Sequence, residues 1–531
     1  MILDKDLLSI QEARGLAEKA KEAQLEYKHF SQQQVDKIVK AMAEAGYASS
    51  EKLARMACDE SGFGVYEDKI IKNQFSTKNV YESIKNLKTV GIVAEEANGK
   101  VLKIAEPMGV VCALVPSTNP TSTAMFKALI SLKSRNAIVA SPHPKTSKCT
   151  IETLNILAKA AESAGAPRGL IQCMSEPTIE GTDALMHDKN ISVILATGST
   201  PMVKSAYSAG KPAYGVGPGN VPAFIERSAN YQKAVADIVY GTTFDNGTLC
   251  SSEQSIIVDL PLKEKVIEEA LAQGCYFVNA EEKEKLARAV QTNLRINPEI
   301  VGKSATYIAK YAGFEVPGNT KVLVATCYEV GKSEPLSIEK LSPVLSFYVV
   351  DGWLEGCHRC IDLLQFGGLG HTMVIHSNDE PIIMKFALEK PAFRILVNTV
   401  ASVGAVGYTT ALDPSMTLGP GTWGGSIVSD NVTAKHLLNI KSLAFETNPI
   451  NIGKSVDKFE TQKYKGGKDW FIKEIEERLR ERAGNPPIKD VYTYSEKEKQ
   501  SEEKTEPAKP IKYGSGITEE EIKKIIKEFS S

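Results

Sequence analysis

The chain has 531 residues, too many for one ordinary hydrophobic core, so we expect two large domains with additions. Its 63 Lys and Arg residues against 65 Asp and Glu residues give a formal net charge of −2, which offers no electrostatic case for a nucleic-acid or anionic-membrane partner. Nine cysteines scattered singly and a start without an apolar core predict a protein of the reducing cytoplasm, and no apolar run reaches the roughly 18 residues of a membrane span.

The first part of the chain, from about Leu7 to Asn86, has helical apolar spacing with many Lys, Glu, Ala and Gln residues, which predicts surface helices. Short apolar strands then alternate with helices, a pattern typical of βαβ units and a parallel sheet. In such sheets ligands bind at the carboxyl ends of the strands. Three polar segments fall at those ends: "VPSTNPTST", "SPHPKTSK" and "ATGSTPMVKSA".

The third of these segments contains a candidate anion site. Thr197, Gly198 and Ser199 leave a predicted strand and open a predicted helix, so free backbone N–H groups would face a phosphate there. The segment lacks a G-x-G-x-x-G pattern, and an ordinary capped helix start is the alternative.

One cysteine, Cys250, stands among small and polar residues in "GTTFDNGTLCSSEQS", just before an apolar run. A reactive cysteine must be partly exposed, and the small neighbours Gly247, Ser251 and Ser252 leave room for a substrate to approach. A loop cysteine without a role is the alternative. Six others are predicted to be core residues: Cys58, Cys112, Cys149, Cys173, Cys275 and Cys327. Cys357 and Cys360 form a lone C-x-x-C, which we interpret as incidental, and no metal site is predicted.

After Cys250 the strand and helix alternation continues more loosely, which predicts a second α/β domain. This region ends in the Gly-rich stretch "PSMTLGPGTWGGSIVSDN", for which a pocket wall and a structural loop are both open interpretations.

The last eighty residues have a different character. The stretch "DWFIKEIEERLRERAG" predicts an amphipathic helix, and a following segment rich in Lys, Glu, Pro and Ser predicts a disordered linker. At the end, Thr518 and Glu521 form a capping-box pattern, and an apolar stripe lies on one face of a short predicted helix: Ile522, Ile525, Ile526 and Phe529. So short a helix is marginal alone and is predicted to fold on a partner, although docking on its own domain is the alternative.

Taken together, several motifs in this order and at these intervals resemble the aldehyde dehydrogenase superfamily, and more narrowly its coenzyme A-acylating branch. The resemblance covers roughly Leu7 to Phe445. The motifs are "SPHPKTSK", "ATGSTPMV", "FDNGTLCSSEQS", "EKLSPV", "GLGHTMVIHS", "LVNT" and "TLGPGTWGGSIVSDNV".

The resemblance implies an α/β fold with a Rossmann-type cofactor domain and an α/β catalytic domain. We predict an NAD-binding domain at 1–240, with a helical N-terminal part and an oligomerisation arm, and a catalytic domain at 241–452. A helix and flexible linker would occupy 453–516, and an amphipathic targeting helix 517–531. A homo-oligomer, either a dimer or a tetramer, is expected.

For the chemistry, the resemblance implies that Cys250 attacks an aldehyde and that the resulting alkoxide is stabilised by the amide of Asn119 and the backbone N–H of the cysteine. A turn-forming role is the alternative for Asn119. Hydride transfer to an oxidised nicotinamide cofactor then leaves an acyl group on sulfur.

The step that resolves this thioester separates the branches of the superfamily. Hydrolytic members carry a glutamate that activates water, and Gly215 of "YGVGPGNVP" stands at the matching position. A glycine cannot take a proton, so we expect coenzyme A to accept the acyl group. His371 is a candidate for the thiol proton, and a histidine satisfied within a strand is the alternative.

The resemblance also assigns the cofactor residues. Ser141, Pro142 and His143 match positions that hold adenosine, while Thr197, Gly198, Ser199 and Gly217 would complete the cofactor site. Glu339 matches the glutamate that binds the nicotinamide ribose, although an exposed glutamate before a strand is a common alternative. Lys145 would tolerate the ribose phosphate of NADP, so both cofactors stay open, and NAD is the one favoured.

The terminal helix resembles the encapsulation peptides that attach enzymes to bacterial microcompartment shells, which implies a shell protein as partner and a location inside a microcompartment. Acetaldehyde and propanal fit equally well as substrates. The alternatives are a hydrolytic NAD(P)-dependent aldehyde dehydrogenase, an acylating enzyme for sulfoacetaldehyde, and an inert scaffold, which the presence of Cys250 and Asn119 disfavours.

Overall fold

The computed structural model of the chain describes residues 4–292, 295–448 and 450. The predicted helix and linker of 453–516 and the terminal helix of 517–531 lie outside these residues. No helix among the described ranges is long and apolar enough to cross a membrane.

The N-terminal part is helical, as its apolar spacing predicts. A capping box stabilises the start of its second helix, where Ser31 N donates to Gln34 Oε1 at 2.9 Å and Gln34 N donates back to Ser31 Oγ at 3.4 Å. A π-helical turn at Phe75–Asn79 joins the last two helices. The helices are α1 (Lys5–Tyr27), α2 (Gln32–Ala48), α3 (Ser50–Ser61), α4 (Tyr66–Gln74) and α5 (Val80–Ile84).

A five-stranded parallel sheet follows, in the order β5-β4-β3-β6-β7. Its central strand, with the sequence VVCALV, is buried throughout, as expected for a strand covered by helices on both faces. The elements of this part are β1 (Gly91–Glu96), β2 (Val101–Pro107), β3 (Val110–Val115), α6 (Pro120–Lys133), β4 (Ala137–Pro142), α7 (Ser147–Ser163), β5 (Ile171–Cys173), α8 (Ile179–His187), β6 (Ile191–Thr197), α9 (Thr200–Ser208) and β7 (Ala213–Val216).

A second parallel sheet has seven strands in the order β10-β13-β14-β9-β8-β15-β16. Its elements begin with β8 (Val221–Ile225), α10 (Tyr231–Thr243), β9 (Glu253–Asp259), α11 (Lys263–Ala272), β10 (Cys275–Phe277), α12 (Ala280–Val290), a short pair β11 (Gln291–Thr292) and β12 (Arg295–Ile296), and α13 (Ala305–Ala312). They continue with β13 (Val322–Thr326), β14 (Val344–Val350), α14 (Trp353–Gly367), β15 (Gly370–His376), α15 (Glu380–Leu388), β16 (Ala392–Val397) and α16 (Ala401–Ala405).

A third, antiparallel sheet is built from β1, β2 and a late strand, β17 (Leu438–Ala444), which pairs with β2. The mixed α/β fold with two parallel sheets confirms the predicted fold class. The chain passes from the five-stranded to the seven-stranded sheet between Val216 and Val221, so β8 lies on the N-terminal side of the predicted domain boundary at residue 240 but pairs with β9 and β15. The division into functional domains stays a prediction.

The Gly-rich stretch of 414–431 has no strand or α-helix and packs against the start of β15. Gly370 has a φ of +80°, and a Cβ there would lie 1.9 Å from the carbonyl oxygen of Pro420. Only glycine fits such an approach in a left-handed conformation. The stretch thereby fixes the backbone immediately before His371.

Candidate active site

Cys250 lies in a tight loop between α10 and β9, and its side chain is half-buried. The loop uses three consecutive left-handed residues, Asp245, Asn246 and Gly247, with φ values of 50°, 52° and 71°. Burial, followed by the nearby Glu339 carboxylate, raises the pKa of the Cys250 thiol to about 12. The thiol is therefore protonated near neutral pH, and a positive charge must come close before it can react as a thiolate.

Asn119 is brought directly to this loop. It precedes α6 at the carboxyl end of β3, and its Nδ2 donates to the carbonyl oxygen of Thr248 at 3.0 Å. Its Oδ1 accepts a hydrogen bond from the ammonium group of Lys72. Because an ammonium group only donates, the amide must present its NH₂ group to the cysteine loop. This orientation supports the predicted donor role, which stays a prediction.

A buried charge cluster behind Asn119 was missed by sequence reasoning. Lys69 and Lys72 of α4 both bind the carboxylate of Asp245, with 3.0 Å from Lys69 Nζ to Oδ2, and all three side chains are buried. Burial raises the pKa of Asp245, but Lys72 and Lys69 outweigh it and the net pKa is lowered. Burial lowers the pKa of Lys72 to about 8.

The prediction of surface helices was therefore wrong for α4. Lysines normally face water, so nothing in the helical pattern separates Lys69 and Lys72 from solvated lysines. The available signal was Asp245, a single acid in the small polar loop before Cys250, because a buried carboxylate needs a cation.

Glu339 lies on the other side of the cysteine loop. Its Oε1 accepts from the backbone N–H of Gly219 at 2.7 Å. Burial raises the pKa of this carboxyl to about 7. A Cβ on Gly219 would lie 1.8 Å from the carbonyl oxygen of Cys250, so the two backbones touch only because residue 219 is glycine.

His371, at the start of β15, is fully buried and lies beside the same glycine. A Cβ on Gly219 would lie 3.3 Å from its Nδ1. The same nitrogen lies 2.9 Å from Thr372 Oγ1, which accepts from Arg394 Nε at 3.2 Å. Burial, and secondly the charge of Arg394, lower the pKa of His371 well below 6.5. Arg394 and Thr372 were not identified from the sequence, where they look like ordinary residues of alternating strands.

Gly215 occupies a closed position in β7. A Cβ there would lie 2.5 Å from the hydroxyl oxygen of Tyr207 and 2.6 Å from Val203 Cγ1, both on α9. Tyr207 also donates to the carbonyl oxygen of Gly215 at 3.0 Å. A longer side chain at this position would therefore have to displace the side chains of Tyr207 and Val203.

The predicted cofactor residues gather at the carboxyl edge of the five-stranded sheet. Ser141 is buried and its hydroxyl lies 2.7 Å from Thr182 Oγ1, whereas His143 is exposed. Thr197 lies 3.5 Å from Thr417 of the Gly-rich stretch through their hydroxyl oxygens. The residues at this edge that are predicted to bind the cofactor are Ser141, Pro142, His143, Thr197, Gly198, Ser199 and Gly217.

This edge fits a dinucleotide. Ser199 begins α9 without a side-chain cap, so the backbone N–H groups of Thr200 and Met202 are left for an anionic group, whereas Pro201 between them has no N–H. A Cβ on Gly217 would meet nothing within 4 Å, which leaves open space beside the sheet edge. The binding roles of these residues stay predictions.

An apolar cavity opens beside Leu249, the neighbour of Cys250. The charged residue of its lining is Lys72, whose ammonium group is bound to Asp245. Phe75 and Tyr408 close one side in an edge-to-face pair with 5.9 Å between ring centroids. The remaining lining residues are Ile71, Phe244, Leu249, Val403, Val406 and Met416.

The other cysteines lie away from this cavity. Six are buried, and two, Cys58 and Cys173, are half-buried. Cys357 and Cys360 are buried in α14, and no disulfide and no cluster of three metal-ligating side chains occurs within the described ranges.

Comparison with known proteins gives a consistent result. The aldehyde dehydrogenase family profile matches residues 7–309. The chain is 44% identical over 441 residues to the bifunctional aldehyde-alcohol dehydrogenase of Escherichia coli, a match that covers 82% of this chain and 50% of that protein. The chain thus spans about half the length of the first curated relatives that it matches.

Two solved structures are similar over nearly their whole length. An acetylating aldehyde dehydrogenase from Geobacillus thermoglucosidasius is 51% identical, with a TM-score of 0.83, and the match covers 85% of this chain and 99% of that one. A propionaldehyde dehydrogenase from the fucose utilisation microcompartment of Clostridium phytofermentans is 28% identical, with a TM-score of 0.73 and coverage of 81% and 96%.

Proposed function

Because the chain belongs to the aldehyde dehydrogenase family, we propose that it oxidises a short-chain aldehyde to an acyl-coenzyme A, using NAD and coenzyme A, through a thioester on Cys250. The observation that carries the proposal is Gly215. The position of the hydrolytic glutamate holds no side chain and is closed off by Tyr207 and Val203, while Cys250 and Asn119 are both in place.

The first step is attack of the Cys250 sulfur on the aldehyde carbon: the C–S bond forms, the C=O π bond opens to an alkoxide, and the thiol proton passes to solvent water. The alkoxide that forms accepts hydrogen bonds from Asn119 Nδ2 and from the backbone N–H of Cys250. Lys72 supports this step because it keeps the amide oxygen of Asn119 turned away from the alkoxide. Bound NAD would supply a positively charged ring that favours the thiolate and accepts the hydride.

The second step is transfer of the acyl group from Cys250 to the sulfur of coenzyme A. A C–S bond to coenzyme A forms, the C–S bond to Cys250 breaks, and the proton of the coenzyme A thiol leaves as Cys250 is regenerated. A hydrolytic aldehyde dehydrogenase is the alternative, and it requires a base for water at a position where this chain has Gly215.

We favour a small apolar aldehyde such as acetaldehyde or propanal because aromatic and aliphatic side chains line the cavity beside Leu249, which has room for about one water molecule. The lysine of its lining is already bound to Asp245 and Asn119. A sulfonate would lose its hydration in such a cavity without gaining a free cation. Sulfoacetaldehyde is therefore the less favoured alternative.

For the cofactor, we assign adenosine to Ser141, Pro142 and His143, the pyrophosphate to the start of α9, and the nicotinamide ribose to Glu339. The exposed Lys145 follows the assigned adenosine residue His143 by two positions and would tolerate the ribose phosphate of NADP. We nevertheless favour NAD as the cofactor.

We further propose that the protein assembles as a homo-oligomer. β16 is an edge strand of the seven-stranded sheet and carries the partly exposed side chains of Phe393 and Val397. The three-stranded sheet exposes Ile440, and an exposed apolar edge supports pairing with a second copy. The similarity to a microcompartment enzyme supports a location inside such a compartment, with the terminal segment of 517–531 binding a shell protein.

The test is NADH formation from acetaldehyde, propanal and sulfoacetaldehyde, with and without coenzyme A, together with identification of the product. The proposal expects sustained turnover of the two apolar aldehydes only with coenzyme A, and acyl-coenzyme A as product. Sustained release of free acid without coenzyme A would establish the hydrolytic alternative, and preference for sulfoacetaldehyde would overturn the assigned substrate class.

A further inference from the structure

His371 belongs to a buried chain of hydrogen bonds that ends on an arginine. Arg394 Nε donates to Thr372 Oγ1 at 3.2 Å, and that oxygen lies 2.9 Å from His371 Nδ1. All three residues are buried, with exposed fractions of 3% for Arg394 and 0% for the other two. This series of hydrogen bonds crosses from β16 to β15, because Arg394 of β16 pairs with Thr372 of β15.

The guanidinium group is held by neutral acceptors. Its two terminal nitrogens donate to the carbonyl oxygens of Gly419 at 2.7 Å and Ser429 at 3.2 Å, both in the Gly-rich stretch. No carboxylate of the described residues lies within ion-pair distance of Arg394. Its charge is therefore partly compensated only at longer range, by the carboxylate of Asp430.

The direction of the hydrogen bonds follows from the donor inventory. A guanidinium group cannot accept, so the Thr372 oxygen is the acceptor from Arg394 and its own hydroxyl proton is left to donate. Within the part of the chain that the structure describes, His371 Nδ1 is the acceptor in reach of that proton. Nδ1 then accepts from the hydroxyl, and the neutral imidazole carries its proton on Nε2. In the other tautomer Nδ1–H would donate to the second lone pair of Thr372 Oγ1, and the buried hydroxyl proton would be left without an acceptor. Nε2 itself is buried and has no partner among the described residues.

The charged and titratable groups that face His371 favour the neutral ring. Arg394 lies on β16, and burial together with this charge lowers the pKa of the imidazole well below 6.5. On the opposite side are Cys250, a thiol of raised pKa, and the Glu339 carboxyl, whose Oε1 is bound to Gly219 N. Neither makes a hydrogen bond to the ring that would stabilise an imidazolium.

We propose that Arg394 and Thr372 are positioning residues that hold His371 as a neutral imidazole with its proton on Nε2. His371 then donates a hydrogen bond to the acyl group or sulfur in thioester exchange. It is not the base that deprotonates coenzyme A. The inference deepens the proposed function and rests on it for the identity of the acceptor. The tautomer of His371 does not depend on the proposed function, because it follows from the hydrogen bonds that link His371 to Thr372 and Arg394.

Replacement of His371 separates a donor from a base. His371→Gln keeps an N–H donor near the position of Nε2 but cannot take a proton near neutral pH, whereas His371→Leu keeps neither. A hydrogen bond is worth about 1 kcal/mol, so we expect coenzyme A-dependent turnover of His371→Gln to stay within about tenfold of wild type and that of His371→Leu to fall further. Loss of a base would cost about 10²- to 10⁴-fold in both variants, and an equal loss of that size would overturn the proposal.

The tautomer can be observed directly in the full-length protein by ¹⁵N NMR after selective labelling of its seven histidines, with the His371→Gln spectrum identifying the signal of His371. We expect a neutral ring protonated on Nε2 from pH 6 to 9. Thr372→Val should release the tautomer and Thr372→Ser should restore it. A ring protonated on Nδ1, or an imidazolium at pH 7, would overturn the proposal.

Two controls keep the result specific. Thr153→Val removes another buried hydroxyl, which donates to the Cys149 carbonyl oxygen at 2.7 Å in α7, and should leave the signal of His371 unchanged. The NADH burst in the absence of coenzyme A reports formation of the acyl-enzyme separately from its transfer. If wild type needs no coenzyme A, the proposed function fails while the NMR result still decides the tautomer.

Discussion

Lys72 donates a hydrogen bond to the side-chain oxygen of Asn119, and the NH₂ group of the same amide donates to the carbonyl oxygen of Thr248, two residues before Cys250. A buried cation from the N-terminal helices therefore determines which end of an amide faces the cysteine loop. Asp245, which lies in that loop, binds the same cation and also Lys69. The loop, the amide and helix α4 thus form one connected unit.

This relationship predicts that Lys72→Met impairs catalysis through Asn119. Without the ammonium group the amide can rotate, and we expect kcat to fall by up to about 10²-fold, the scale for loss of one donor to an oxyanion. Because Lys72 acts through Asn119, the double variant Lys72→Met/Asn119→Ala should be no worse than Asn119→Ala alone. Steady-state kinetics of the three variants check this, and fully additive losses in kcat would contradict it.

A matched control separates this effect from general instability. Lys133→Met removes another buried lysine, which pairs with Asp36 at the far end of α6. Both lysine variants should lower the free energy of unfolding by about 1–3 kcal/mol, the cost of leaving a buried polar partner unsatisfied. Lys69 still binds Asp245 in Lys72→Met, which keeps the carboxylate paired. Only Lys72→Met should change kcat.

The proposed function gives the covalent step to Cys250, so Cys250→Ser should abolish both NADH formation from aldehyde and the reverse reaction from acyl-coenzyme A. Loss of a covalent nucleophile typically costs several orders of magnitude. The thermal midpoint should change little, because the hydroxyl replaces the thiol at a half-buried site. Retention of more than about a thousandth of either activity would show that another group is the nucleophile.

The proposed function attributes the stability of the acyl-enzyme toward water to the missing side chain at Gly215, so turnover without coenzyme A should stop after a burst of about one NADH per active site. Gly215→Glu should not create a hydrolytic enzyme, because its side chain would collide with Tyr207 and Val203 before it could reach a water near Cys250. We expect this variant to be destabilised and inactive. Gly318→Glu, at a glycine with nothing within 4 Å of a Cβ, is the control for an added carboxylate. Steady release of acid by Gly215→Glu would refute this account.

The Glu339 carboxyl predicts a pH dependence of cofactor binding. Burial raises its pKa to about 7 from an ordinary value of about 4.3, so the carboxylate that would bind the ribose forms only as the pH rises through 7. The KM for NAD should therefore fall between pH 6 and 8. In Glu339→Gln this pH dependence should disappear, whereas Glu315→Gln, at an exposed residue of a loop, should keep it.

The same group has an opposite effect on stability. Its folded pKa lies above its unfolded pKa, so its contribution is fully present below about pH 4 and is lost as the pH rises through about 7. Urea unfolding of wild type and Glu339→Gln at several pH values measures the difference. A wild type that gains stability relative to the variant between pH 5 and 8 would contradict the raised pKa.

The sequence was sufficient for the parts of the molecule that follow local rules. Apolar alternation identified the parallel sheets, the small residues around Cys250 pointed to that cysteine, and the family resemblance pointed to Asn119, which the structure places against the same loop. Lys72, Asp245 and Arg394 could not be predicted in the same way. Lysine and arginine usually indicate solvent, and their burial here depends on contacts between segments that are 25 to 176 residues apart in the chain.

The last prediction concerns the terminal segment of 517–531, which lies outside the described residues and is separated in sequence from every candidate active-site residue. Those residues fall between Lys69 and Arg394, so deletion of 517–531 should leave turnover and thermal stability nearly unchanged. The deletion should abolish recruitment to a microcompartment shell. Ile522→Glu or Ile526→Glu places a charge in the apolar stripe and should have the same effect, whereas Lys523→Glu alters the polar side of the predicted helix and serves as the control.

Fusion of the segment to a fluorescent reporter, expressed with and without shell proteins, allows these variants to be compared for co-purification. Equal co-purification of all variants, or loss of enzyme activity on truncation, would rule out a targeting role that depends on this apolar face.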